Sequence, residues 1–140
     1  MMKKTDTMER DVELLFELGA FRFIERTWRQ FFGMNVQNYA EHTFKVAWIA
    51  TVLAKHENNV DMEKLFVKDA DNLDVHMEIK EICSRGHTIG KIWKAHREQN
   101  VYPKLYTVSA RKFWKVISKA DPFSWHTSIY PHISSLYSSS

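Results

Sequence analysis

Cysteine occurs once in this chain, at Cys83, so no internal disulfide can form and the fold has to be held by packing alone. A single thiol suits a reducing compartment and gives no sign of a secreted, disulfide-stapled scaffold. Long apolar runs are missing as well. No stretch approaches the roughly 18 consecutive apolar residues of a membrane span, and the opening Met1-Met2-Lys3-Lys4-Thr5-Asp6 has basic residues with no apolar segment behind them. The expectation is a cytoplasmic protein that does not enter a membrane. Charge of one sign is also in short supply. A net charge of +3 favours anionic ligands such as phosphates but falls short of a nucleic-acid-binding signature. Neither an internal repeat nor a credible strand pair is found.

What is present is the material of a folded domain. The chain is 140 residues long, 44% apolar and 26% charged, which fits one domain around one core. Aromatic residues make up 14%, so ring surface should fill much of that core. We read residues 1–9 as a flexible leader, 10–126 as an all-α, single-domain bundle of about five helices, and the serine-rich stretch 127–140, interrupted by Pro131, as a mobile tail.

The helices follow from periodicity and caps. Val12, Leu14, Leu15, Leu18 and Phe21 recur at three- and four-residue intervals over Arg10 to Phe21, with Gly19 weakening the last turn. Phe21 to Val36, rich in arginine and aromatics and broken at Gly33-Met34-Asn35, reads as a connector with one irregular helical turn. Asn38 caps a second helix, and Glu41, three residues on, completes a capping box. That helix runs to about His56 and carries a broad apolar face that includes Ala40, Phe44, Ala47, Trp48, Ile49, Ala50, Val52 and Leu53. Asn58-Asn59 is a turn, Asp61 caps a third helix through Ile82, and Gly86 closes it. Thr88 opens a fourth that ends before Pro103, Thr107 caps a fifth, and Asp121-Pro122 stops it.

Two segments hold residues capable of chemistry. Ala40-Glu41-His42-Thr43-Phe44-Lys45-Val46-Ala47 sets a histidine in the first turn of an apolar helix, where it is either a core group satisfied by a hydrogen bond or a metal ligand facing an interior cavity. In Val67-Lys68-Asp69-Ala70-Asp71-Asn72-Leu73-Asp74, Asp71 faces inward if Ala70 and Leu73 do, and would then need a cation or a hydrogen-bond network to neutralise it; the alternative is a partly exposed acidic helix on which Asp69 and Asp74 are simply solvated. Two weaker features are a Cys83/His87 pair four residues apart and an Arg111, Lys115, Lys119 basic stripe, which read as structural and as a solvated helix face. Trp93 and Trp114 read as core anchors.

The A-E-H-T-F-x-V-A helix, the upstream Arg26 and Trp28, and the later V-K-D-A-D-N-L-D helix resemble the HD-domain metal-dependent phosphohydrolases, particularly the branch that includes bacterial deoxynucleotidases. The resemblance spans roughly residues 10–125. It implies a divalent cation (Mn, Co, Zn or Mg) held by a His on an early helix, an adjacent His-Asp pair and a later Asp. The early His falls on His42 and the late Asp on Asp71, and Arg26 and Trp28 match positions near the substrate's phosphate and sugar.

The chain departs from that pattern at its centre. No His-Asp dipeptide occurs anywhere in it, and where the family would continue with the doublet-bearing helix, Asp61-Met62-Glu63-Lys64 passes directly into Leu65-Phe66-Val67, so the segment is missing near residues 64–67. A cation left with two ligands would be loosely placed and largely hydrated. His56, His76 and Glu41 are the other donors to consider. Two readings follow. One is a phosphohydrolase homologue acting on nucleoside monophosphates or similar phosphate esters, with impaired activity. The other is a non-catalytic helical binding or assembly module that forms a homo-oligomer.

Overall fold

The computed structural model describes residues 8–33 and 36–125. Among them every regular element is helical, as the sequence leads one to expect, and no helix is long and apolar enough to cross a membrane. The expected tail at 127–140 lies outside the described residues, as does most of the leader 1–9.

Helix α1 (Met8–Gly19) runs into a 3-10 turn (Ala20–Phe23). The connector holds one further turn, α2 (Arg29–Phe32), closed by Gly33 in the left-handed region at φ 58°. Helix α3 (Tyr39–Ala54) starts where its cap is written: the Asn38 side chain accepts from the Glu41 backbone N–H, and the Glu41 carboxylate accepts from that of Asn38, each at 2.9 Å. Helix α4 (Met62–Lys64), capped by Asp61, continues through a π-helical turn (Leu65–Ala70) into α5 (Asp71–Ser84). Gly86, at φ 89°, ends that rod, and α6 (Ile89–Asn100) follows. After a 3-10 turn (Tyr102–Lys104), Thr107 caps α7 (Val108–Lys119) by accepting from the Ala110 N–H.

The core lies between α3, the π turn, α5 and α7. Ala50 and Leu53 pack with Leu65, Ala70, Leu73, Leu105, Ala110 and Trp114. Trp114 is buried, as expected, and stacks on His76 with ring centroids 3.7 Å apart. Trp93 is half-buried and meets Trp28 edge-on at 4.9 Å. Gly90 allows α6 to approach α5, since a Cβ there would come within 2.7 Å of Cys83 Sγ.

Two apolar faces behave differently from their periodicity. Helix α1 has no buried residue at all. Only Ala50 and Leu53 of α3 are buried, while Phe44 and Trp48 are 66% and 58% exposed. The acidic residues of the third helix also differ from expectation. Ala70 and Leu73 face inward, but the buried carboxylates are Asp69 and Asp74, each 0% exposed, whereas the Asp71 side chain is 47% exposed. Asp69 accepts from the Tyr106 and Thr107 N–H groups and the Thr107 hydroxyl at 2.6, 2.9 and 2.7 Å, which offsets its desolvation and ties the π turn to the start of α7.

Candidate functional site

On α5, Asp71, Asp74, Glu78 and Glu81 follow one another at spacings of three, four and three, and so line one face of the helix. The opposing groups all come from the N-terminal third of the chain: Arg26 and Gln37 from the connector, and His42 and Lys45 from α3. His42 stands at the centre. Its Nδ1 lies 2.6 Å from Asp74 Oδ2 and its Nε2 lies 2.9 Å from Asp71 Oδ1. Lys45 Nζ lies 3.1 Å from Asp74 Oδ1 and 3.7 Å from Glu81. The Gln37 amide satisfies both neighbours with its nitrogen 2.9 Å from Asp74 Oδ2 and its oxygen 2.8 Å from Lys45 Nζ. Glu78 accepts from the Gln37 backbone N–H at 2.9 Å and pairs with Arg26 at 2.6 Å, in a salt bridge whose side chains are less than a tenth exposed.

The electrostatics follow from this geometry. A neutral imidazole has one donor and one acceptor nitrogen, yet both of His42's nitrogens face carboxylates, so the arrangement calls for a second positive hydrogen or a cation. Hydrogen bonds to Asp71 and Asp74 outweigh the cost of burial and raise the His42 pKa from 6.5 to about 9. Burial pushes the Asp74 carboxyl up, but its bonds to His42 and Lys45 win, and its pKa is lowered overall.

The sequence-predicted residues are thus partly brought together. His42 and Asp71, from different helices, meet in a direct hydrogen bond. Arg26 is within the same network, but its guanidinium is taken up by Glu78, and it stacks over the Trp28 ring with 5.6 Å to the centroid. Trp28 sits in an aromatic cluster with Phe32 and Trp93. A cleft of about 660 Å³ opens beside Arg26, lined also by Arg22, Arg29 and Arg85 and by Glu25, Glu41, Glu78 and Glu81. Its basic and acidic groups balance, so it has no strong preference of sign.

No family model, curated protein or solved structure matches the chain. The donor set itself must therefore be weighed against a divalent cation, which takes four or more donors. His42 Nε2 and an Asp71 oxygen are two. Asp74 holds the other ring nitrogen and is shared with an ammonium and an amide. Glu41 is engaged in its capping box, His56 lies against Phe113, and His76 is stacked on Trp114 with Nε2 2.9 Å from Ser118 Oγ. Among the described residues no three of His, Cys, Asp or Glu converge as metal ligands, the Cys83/His87 pair included; His87 Nε2 instead meets the Phe32 carbonyl at 2.9 Å. These residues do not fit a catalytic cation.

Asp74, Glu78, Glu81, Lys45 and Gln37 were not singled out by sequence reasoning. The signal that points to the acids is their own 3-4-3 spacing, a one-faced acidic stripe on a helix that also carries the core.

Proposed function

We propose that this chain is a helical relative of the HD-type phosphohydrolases in which the cation site has become an ion-pair site, and that it takes phosphate esters such as nucleoside monophosphates without efficient hydrolysis. The observation that carries this reading is the 2.9 Å approach of His42 Nε2 to Asp71 Oδ1 across 29 residues of sequence. The family pattern pairs these two positions, and a hydrogen bond now occupies the space between them. The want of a third and fourth donor supports the loss of turnover, because placing and activating a water demands a fixed metal geometry. Arg26 at the wall of the cleft is the group suited to neutralise phosphate charge, by exchanging its bond to Glu78 for one to the ligand.

The test is a phosphate-release assay on the purified chain with nucleoside monophosphates and Mn, Co, Zn or Mg, run beside calorimetric titration of the same nucleotides. The expected result is binding weakened by Arg26→Ala, with turnover at background. Metal-stimulated turnover abolished by His42→Ala or Asp71→Ala would overturn the loss of hydrolysis, and no nucleotide binding at all would remove the ligand class.

A further inference from the structure

The π turn Leu65–Ala70 and the end of α6 border another cleft, of about 430 Å³, lined by Val67, Lys68, Asn72, Asn100, Val101 and Lys104. It shares no residue with the cleft beside Arg26, and no carboxylate lines it. π-Helical turns are rare and collect at functional sites. Lys68 and Lys104 are exposed, and among the described residues neither has a carboxylate partner; the ion-paired lysines are Lys45 and Lys64. The acids on the flanking turns do not answer them. Asp69 holds the Tyr106 and Thr107 N–H groups, Asp71 holds His42, and Glu63 and Glu98 pair with neither lysine. Beneath Asn72 lies Arg97, only 7% exposed. Its Nη2 donates to the Asn72 backbone carbonyl at 2.9 Å and to Asn72 Oδ1 at 3.1 Å, its Nε is buried without a hydrogen-bond partner, and no carboxylate pairs with it among the described residues. Burial lowers its pKa to about 10, opposed in part by the Asp71 charge. A buried cation in this state is costly unless an anion answers it.

Arg97 also decides what Asn72 can offer. With Oδ1 held by the guanidinium and Nδ2 donating to the Lys68 carbonyl at 2.9 Å, the amide has one N–H left over. Asn100 spends its own Nδ2 on the His96 carbonyl. The cleft is thus furnished with two ammonium groups and an amide donor, and the sequence around it has the same sign: from Arg85 to Lys119 there are nine lysines and arginines and a single acid, Glu98. We propose that this cleft is a binding site for a small oligophosphate, with Lys68 and Lys104 on its charges and Asn72 donating to one of its oxygens. A monocarboxylate would leave one ammonium unanswered, whereas a single phosphate group carries about −1.5 to −2 at neutral pH. The volume falls within the roughly 300–1,000 Å³ of small-molecule pockets, which favours a compact ligand over a polymer. This site stands whether or not the Arg26 cleft takes a phosphate ester.

Calorimetric titration with inorganic diphosphate in about 0.1 M salt is the first measurement, and one site per chain is expected. Lys68→Ala with Lys104→Ala alters exposed residues only, so the chain should fold and bind about 10-fold more weakly or worse. The same charge removed outside the cleft, by Lys112→Ala with Lys119→Ala, should change affinity by less than about 3-fold. Asn72→Asp hands Arg97 a carboxylate and sets a negative charge in the cleft; it should abolish binding and keep the fold. Absence of diphosphate binding, equal losses in the two lysine pairs, or unaltered binding by Asn72→Asp would each overturn the proposal. So would a single-stranded oligonucleotide that binds through Lys68 and Lys104 while diphosphate does not.

Discussion

His42 reaches Asp74 through Nδ1 at 2.6 Å, and Asp74 is the buried one of its two carboxylate partners. The pair joins α3 to α5 at the middle of the ionic face, with Lys45 and Gln37 completing the shell of Asp74. Asp71, on the other ring nitrogen, is half in solvent. The two aspartates therefore differ in what their loss should cost.

Asp74→Ala leaves the His42 and Lys45 charges without their buried acceptor and should destabilise the fold by about 3–5 kcal/mol. Asp71→Ala removes a solvent-screened partner and should cost no more than about 1 kcal/mol. Urea denaturation of the two variants side by side measures the difference, and equal losses would refute this ranking.

Arg26 and Glu78 form the other buried pair. Glu78→Ala strands the guanidinium and the Gln37 N–H together, with an expected cost of about 3–5 kcal/mol. Substituting both partners by apolar residues, Arg26→Met with Glu78→Leu, should recover a good part of it. A double-mutant cycle by thermal unfolding reports the coupling.

The two histidines with shifted pKa values titrate in adjoining windows and with opposite sign. Burial beside Trp114, reinforced by the positive charge of Arg97, lowers His76 to about 4. Its contribution is intact above the unfolded value of 6.5 and is lost as pH falls toward 4, a change of no more than about 3 kcal/mol. His42, raised to about 9, contributes fully below 6.5 and loses its contribution as pH rises through 9. In metal-free protein their combined contribution should therefore be largest near pH 6.5. His76→Phe keeps a ring on Trp114 and should flatten the acid side of the stability profile between pH 4 and 6.5. His42→Gln should flatten the alkaline side.

Asp69 holds the loop before α7 through three hydrogen bonds to a single carboxylate. Asp69→Asn keeps the size but loses the charge and one acceptor oxygen, and should cost about 2 kcal/mol. Hydrogen exchange at Tyr106 and Thr107 should rise in this variant before exchange in α3 does.

Where the chain carries its own local instructions, sequence and structure agree. Asn38 with Glu41, Asp61, Gly86 and Thr107 mark helix ends through groups no more than a few residues apart, and these are the ends observed. The exposure of Asp71 and the burial of Asp69 and Asp74 were not legible in the same way. Their burial depends on His42 and Lys45, some thirty positions upstream, and on Tyr106 and Thr107, nearly forty downstream. Phe44 and Trp48 mislead for the converse reason, since periodicity identifies an apolar face but does not supply the surface that covers it.

The wide turn at Leu65–Ala70 gives the long rod from Met62 to Ser84 a joint. Deleting one residue there to leave a regular α-helix would rotate the part before it by about 100° relative to the part after it. Leu65 could then stay in the core with Ala50 and Leu53, or Asp69 beneath Thr107 and Asp74 beneath His42, but the rod could not serve the anchors on both sides of the joint without distortion. The joint works as a spacer ring whose thickness matters more than its material: replacing side chains in Phe66–Lys68 should leave the assembly in register, and shortening the segment by one position should not.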